Sequence, residues 1–253
     1  MKLEIVYEDS GGITALELLC DVPNELECDC TSNDVVKSFQ KISDIEGNFT
    51  GILNNGDEMG NSLATIGDLD GDGIPDIVVG SEGDNDGSSN RGSVWIMFLN
   101  SNGTVRNQQK ISDIEGNLTG SLDDSDQFGN AVAGIGDLDG DGILDIAVSS
   151  QFDDDGSSNT GAVYILFLNA NGTIKSEQKI SATAGGFTGT LDAGDEFGRS
   201  IGNIGDFDGD GVQDLAVGAS KDDDGGSNRG AIYILLMQAN GKVKSTTKIS
   251  STT

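Results

Sequence analysis

A nine-residue acidic stretch, Asp68-Leu-Asp-Gly-Asp-Gly-Ile-Pro-Asp76, returns as residues 137–145 and again as 206–214, each time 69 residues further on. An interval kept without insertion or deletion means that one supersecondary unit is copied, so the fold must be an array of such units. Lys41-Ile42-Ser43 marks the same frame and recurs from Lys110, Lys179 and Lys248. Within the stretch, carboxylates at positions 1, 3, 5 and 9 repel one another unless a cation gathers them, and a hard ion that takes oxygen ligands, Ca2+, suits that donor set. The candidate ligands are Asp68, Asp70, Asp72 and Asp76, then Asp137, Asp139, Asp141 and Asp145, then Asp206, Asp208, Asp210 and Asp214. Position 7 is apolar, so Ile74, Ile143 and Val212 are expected to offer backbone carbonyls. Position 12, where an EF-hand needs Glu, holds Val79, Val148 and Val217, and the flanks read as strands rather than helices. A solvated acidic turn is the alternative, and a spacing kept in three copies argues against it.

Each unit holds a segment such as Asn61 to Ile66, the acidic loop, a strand, a second acidic loop, a strongly apolar run, an Asn-Gly turn and a last segment ending in Lys-Ile-Ser. That order predicts four strands per unit. Asn102-Gly103, Asn171-Gly172 and Asn240-Gly241 are expected to form two-residue type I′ hairpins. The runs Val94 to Leu99, Val163 to Leu168 and Ile232 to Met237 do not alternate with polar residues, so both faces of those strands should be covered by neighbouring sheets. Four strands in about 40–70 residues fit a propeller blade better than a β-helix coil, with a sandwich as the alternative.

Phe128-Gly129 and Phe197-Gly198, with Met59-Gly60 in the first copy, the Ile-Gly-Asp before each loop, and the loop itself resemble the FG-GAP repeat of integrin α-subunit propellers. The resemblance covers about residues 44–253 and implies an all-β fold: a β-propeller, partial or small, with four-stranded blades and calcium-binding hairpin loops between the first and second strands. It also implies ligand recognition on the opposite face, non-catalytic extracellular or cell-surface adhesion, and a protein or glycan ligand. Repeats are expected at about 44–112, 113–181 and 182–250. Residues 1–43 are read as a degenerate N-terminal blade or the end of an upstream one, with Leu3 to Tyr7 and Thr14 to Leu19 as candidate strands. Such propellers usually have seven blades. Three would not close a ring, so self-association or further blades in a longer chain are expected, the open faces being lined by Val94, Ile96, Ile232, Ile234 or their same-strand neighbours.

A formal net charge of -29 argues against nucleic acid and anionic membranes as partners and for cations or basic ligands. No apolar stretch approaches the 18 or more residues of a membrane span, so membrane insertion is not expected. Cys20, Cys28 and Cys30 lie outside the repeats; with no histidine in the chain, one disulfide and a spare thiol is a plainer reading than a zinc site.

The second acidic loop offers Asp84 and Asp86, Asp153 and Asp155, and Asp222 and Asp224, with Arg91 and Arg229 set against Thr160 in the middle copy. These are the candidate ligand-binding residues, because the rim differs between copies as a surface reading an asymmetric partner must; self-bonded polar turns are the alternative. Catalysis has little to work with: no histidine is present for a nucleophilic triad, and nearly every Asp has counterparts in the other copies, whereas a catalytic acid is singular. A secreted polysaccharide-acting enzyme domain and a calcium-stiffened surface array are the competing readings.

Overall fold

The structure, a computed structural model, describes residues 2–3, 18–19 and 38–251. The chain divides into two compact units, residues 1–39 and 40–253. In the first, β1 (Lys2–Leu3) pairs antiparallel with β2 (Leu18–Leu19). The rest of the expected strands Leu3 to Tyr7 and Thr14 to Leu19 lies outside the described residues.

In the second unit, three four-stranded antiparallel sheets follow the 69-residue frame. The first is β3 (Leu63–Gly67), β4 (Asp76–Ser81), β5 (Ser93–Leu99) and β6 (Val105–Ile111). The second is β7 (Phe128–Gly136), β8 (Asp145–Ser150), β9 (Ala162–Leu168) and β10 (Ile174–Ile180). The third is β11 (Phe197–Gly205), β12 (Asp214–Ala219), β13 (Ala231–Met237) and β14 (Val243–Ile249). Each strand pairs with the next in sequence, so every sheet is a blade-like meander. The acidic nine-residue loops and the Asn-Gly turns therefore share one end of the sheets, and the second acidic loops lie at the other.

The Asn-Gly turns differ from the type I′ expectation. Gly103, Gly172 and Gly241 have positive φ, but Asn102, Asn171 and Asn240 do not. Gly103 N–H donates to Asn100 C=O at 2.8 Å and Asn100 N–H to Thr104 C=O at 2.8 Å. This is a three-residue hairpin loop, a turn followed by a left-handed Gly that leaves a bulge. The Asn102 carboxamide accepts the Thr104 N–H at 3.1 Å, which holds the asparagine in ordinary backbone space and moves the strained conformation to the glycine.

The apolar runs alternate by face rather than by polarity. Val94, Ile96 and Phe98 of β5 pack into one core with Phe128, Val148 and Tyr164 of the next repeat, while Trp95 and Met97 pack the other way with Phe49. In β9, Tyr164, Leu166 and Leu168 enter the first core, and Val163, Ile165 and Phe167 a second one shared with Phe197 and Tyr233. Both faces of β5 and β9 are thus covered, as expected. The outer face of β13 is open, with Ile232 48% exposed, as expected for the open face that Ile232 and Ile234 line. Val94 and Ile96, expected on an open face, are instead fully buried because the second repeat covers them.

Sheets approach closely at two seams. Phe128 N–H donates to Arg91 C=O at 2.8 Å, and Phe197 N–H to Thr160 C=O at 2.9 Å. A Cβ on Gly92 would lie 2.1 Å from Phe128 O, and one on Gly161 would lie 2.1 Å from Phe197 O. Both glycines also have φ of +84. Gly230 holds the same place in the third sheet with φ of +76, but the nearest atom to a Cβ there is Ser220 O at 3.2 Å. Comparison of Gly161→Ala with Gly230→Ala separates the two demands. Gly230→Ala meets chiefly the left-handed backbone, about 1–2 kcal/mol. Gly161→Ala must also displace the Phe197 backbone, so it should be clearly the more destabilising in urea melts; equal losses would contradict the seam.

Candidate metal centre

Backbone donors organise each acidic nine-residue loop. Asp68 Oδ1 accepts from the N–H of Gly71 at 2.8 Å and Asp72 at 3.0 Å, and Oδ2 from Gly73 at 2.8 Å. Asp137 and Asp206 repeat this pattern on Gly140, Asp141 and Gly142, and on Gly209, Asp210 and Gly211. The last acid is buried and ties the loop to the third strand. Asp76 accepts from Leu69 and Leu99, Asp145 from Leu138 and Leu168, and Asp214 from Phe207 and Met237. Burial raises the Asp145 carboxyl to about 6 and moves Asp76 in the same direction.

Three carboxylates in each loop lie within 4.8 Å of one another: Asp68, Asp70 and Asp76; Asp137, Asp139 and Asp145; and Asp206, Asp208 and Asp210. Asp72, Asp141 and Asp214 stand outside these triads. Ile143 and Val212 send their side chains into the two inter-sheet cores, leaving only main-chain oxygens for an ion. Asp70 Oδ1 is buried without a hydrogen-bond partner. An orphaned carboxylate oxygen among further carboxylates fits a hard cation, and the triads can hold a metal ion.

Sequence reasoning missed a basic residue at the start of each fourth strand. Arg106 contacts Asp70 and Asp72. Lys175 lies 2.5 Å from Asp139 and also contacts Asp141, and Lys244 is 2.7 Å from both Asp208 and Asp210. Hydrogen bonds to these lysines hold Asp141 and Asp210 below the usual carboxylate range. Positions 3 and 5 thus already attract a cation.

At the opposite end, the second acidic loops are turned inward. Asp84, Asp153 and Asp222 are buried, and Lys110, Lys179 and Lys248 lie 2.7, 2.6 and 2.6 Å from them. The same lysines reach Asp86, Asp155 and Asp224 at 2.7, 2.9 and 2.7 Å. Each ammonium also stands 5.5 Å from the ring of Trp95, Tyr164 or Tyr233. Burial alone would push Lys110 and Lys179 towards neutrality, but their hydrogen bonds to the acid pairs outweigh it and hold them charged. Ser112, Ser181 and Ser250 bond the outer acid at 2.8, 3.0 and 2.7 Å. The recurring Lys-Ile-Ser therefore closes a clasp on Asp-x-Asp, with Ile111 and Ile180 in the cores between sheets. The visible signal was a lysine kept in frame in so acidic a chain.

Arg91 is likewise engaged, 2.7 Å from Asp113 and 3.0 Å from Asp124 of the next repeat. Thr160, its counterpart, is buried and donates to Asp155 C=O at 2.8 Å. Arg229 is exposed. A further buried acid recurs as Asp57, Asp126 and Asp195. Burial, with Asp153 nearby, raises Asp126 to about 7.

A family model described as FG-GAP repeat matches residues 59–97, 128–166 and 197–235, which hold the Phe-Gly seam, the acidic loop and the central strands. The chain carries three FG-GAP repeats. The FG-GAP chain is similar to integrin alpha-2 of Mus musculus, 34% identical over 182 residues, covering 69% of this chain and 14% of that one. Integrin alpha-4 of Xenopus laevis is 31% identical over 157 residues, covering 62% and 14%. Integrin alpha-7 of Homo sapiens is 34% identical over 165 residues, covering 65% and 12%. The chain thus spans about one seventh or less of the length of these relatives.

Two predictions follow from the buried charges. Lys179→Met should leave Asp153 buried and uncompensated and cost about 3–5 kcal/mol in denaturant melts. A loss within about 1 kcal/mol, as for an exposed pair, would show that the clasp is not structural. For Asp126, the folded-state value lies above the unfolded value near 3.9. Its unfavourable contribution is therefore absent below the unfolded value, grows as pH rises from there and is complete above about 7. Asp126→Asn should match wild type in melting temperature near pH 4 and exceed it near pH 8; a constant offset would contradict the raised value.

Proposed function

We propose that residues 44–253 form a calcium-binding, non-catalytic recognition module that works outside the cell or at its surface and meets a protein or glycan partner. Asp68, Asp70, Asp72, Asp76 and the Ile74 carbonyl would hold the ion in the first repeat, with the equivalent residues doing so in the other two. Calcium would supply the positive charge that lets each loop close. The observation that carries this reading is the recurrence, in three loops, of clustered carboxylates, one with an orphaned buried oxygen. Similarity to integrin alpha subunits supports the recognition half. The repeats at 44–112, 113–181 and 182–250 would act together, with 1–43 as the end of an upstream blade or a degenerate one.

Of the candidate ligand-binding residues, Asp84, Asp153 and Asp222 are buried in clasps, and Asp86, Asp155, Asp224 and Arg91 are engaged in ion pairs that serve the fold. The neighbouring exposed acids Asp154 and Asp223 are better placed to meet a partner. A catalytic reading has less support. Asp126, the acid raised to about 7, is 3% exposed, and it has buried counterparts in both other repeats.

The test is thermal. In a metal-stripped sample, each calcium site should add about 2.7 kcal/mol when free calcium is a hundredfold above its dissociation constant. Asp139→Ala should remove one of three sites in titration calorimetry. Asp154→Ala should leave calcium binding intact and lose only its 2.7 Å bond from Asn159 N–H, about 1 kcal/mol. Superimposable melts in chelator and in millimolar calcium would sink the calcium reading.

A further inference from the structure

Each internal seam has two halves. Upstream is one face of a sheet, Val94, Ile96 and Ile111 in the first, fully buried by the next repeat. Downstream are the lead-in and first strand of that next repeat, with β7 packed across β3, β4 and β5 and β11 across β7, β8 and β9. Carried forward in the 69-residue frame, the upstream half reappears on the third sheet as Ile232, Ile234 and Ile249, and Ile232 and Ile249 are 48% and 53% exposed. Phe207, the counterpart of buried Leu69 and Leu138, is 69% exposed. Carried back, a downstream half stands on the first sheet, where Leu63 is 69% exposed although its counterpart Val132 is 7% exposed.

Two polar details fit this face to another repeat of the same kind. Gly92 and Gly161 receive the backbones of Phe128 and Phe197, whereas Gly230 keeps the positive φ and receives no second backbone from the described residues. Arg91 crosses its seam to Asp113 and Asp124. Arg229, its counterpart, has no carboxylate partner among the described residues, and Asp44, the first-repeat counterpart of Asp113, is exposed.

We propose that the outer face of the third sheet binds the β3 end of a second copy of this chain, head to tail. Leu63 of the incoming copy would settle among Ile232, Ile234 and Ile249, its Met59-Gly60 backbone over Gly230, and its Asp44 against Arg229. The contact is heterologous, one patch meeting a different one, so copies either close a ring or extend. It stands without the calcium reading. The strong net negative charge opposes approach, so added salt strengthens association.

Sedimentation of the 253-residue chain at rising concentration tests this. Wild type should associate, and Ile232→Asp and Leu63→Asp should each be monomeric with unchanged circular dichroism, since both side chains are exposed. A mixture of the two variants has one intact patch of each kind, so it should give a dimer and nothing larger. Association that survives either substitution, or a mixture that stays monomeric, overturns the proposal. A wild-type monomer also overturns it; if that monomer binds a hydrophobic-surface dye that Ile232→Asp abolishes, the face belongs to a different partner.

Discussion

Like-charge repulsion is the constraint around which this chain is arranged. With 43 acidic and 14 basic residues, most carboxylates cannot have a cation to themselves, so the position of each cation matters. Six of the basic residues lie on the fourth strands, one near each end: Arg106, Lys175 and Lys244 beside the nine-residue loops, Lys110, Lys179 and Lys248 beside the second acidic loops. A strand with little apolar content of its own thus serves as the electrostatic rib of each sheet, and the two acidic loops it joins differ in exposure. At one end the carboxylates stay partly open with an oxygen to spare. At the other the inner acid of each pair, Asp84, Asp153 or Asp222, is buried beneath a lysine that also stands over an aromatic ring.

That difference explains what was legible in the sequence. Strand order, the central apolar runs and the acidic loops could be read because each is a local pattern with a fixed period. The clasp could not, since Asp84 and Lys110 stand 26 residues apart and only the meander brings them together. Spacing shows that Asp84 and Asp86 are alternate residues in a turn, but not whether the turn faces water. The Asn-Gly turns failed for a local reason: two- and three-residue loops share the same dipeptide, and the choice falls to the asparagine side chain bonding Thr104 N–H. The Phe-Gly pair lay between these cases. It marked the family, but its physical role, a backbone laid against the glycine of the preceding sheet, appears only where two repeats meet.

Because each seam joins the end of one repeat to the start of the next, the contact surfaces are offset from the repeat by part of a period. Every repeat therefore carries an upstream half-seam on its own sheet and a downstream half-seam in its lead-in and first strand. In genetic terms, gain or loss of one whole period recreates the same joints wherever the breakpoints fall, whereas a shift of even one residue turns each strand's core side chains to the wrong face. The uninterrupted 69-residue frame is what such a joint demands: it keeps the core side chains of every strand on the face that meets the next repeat.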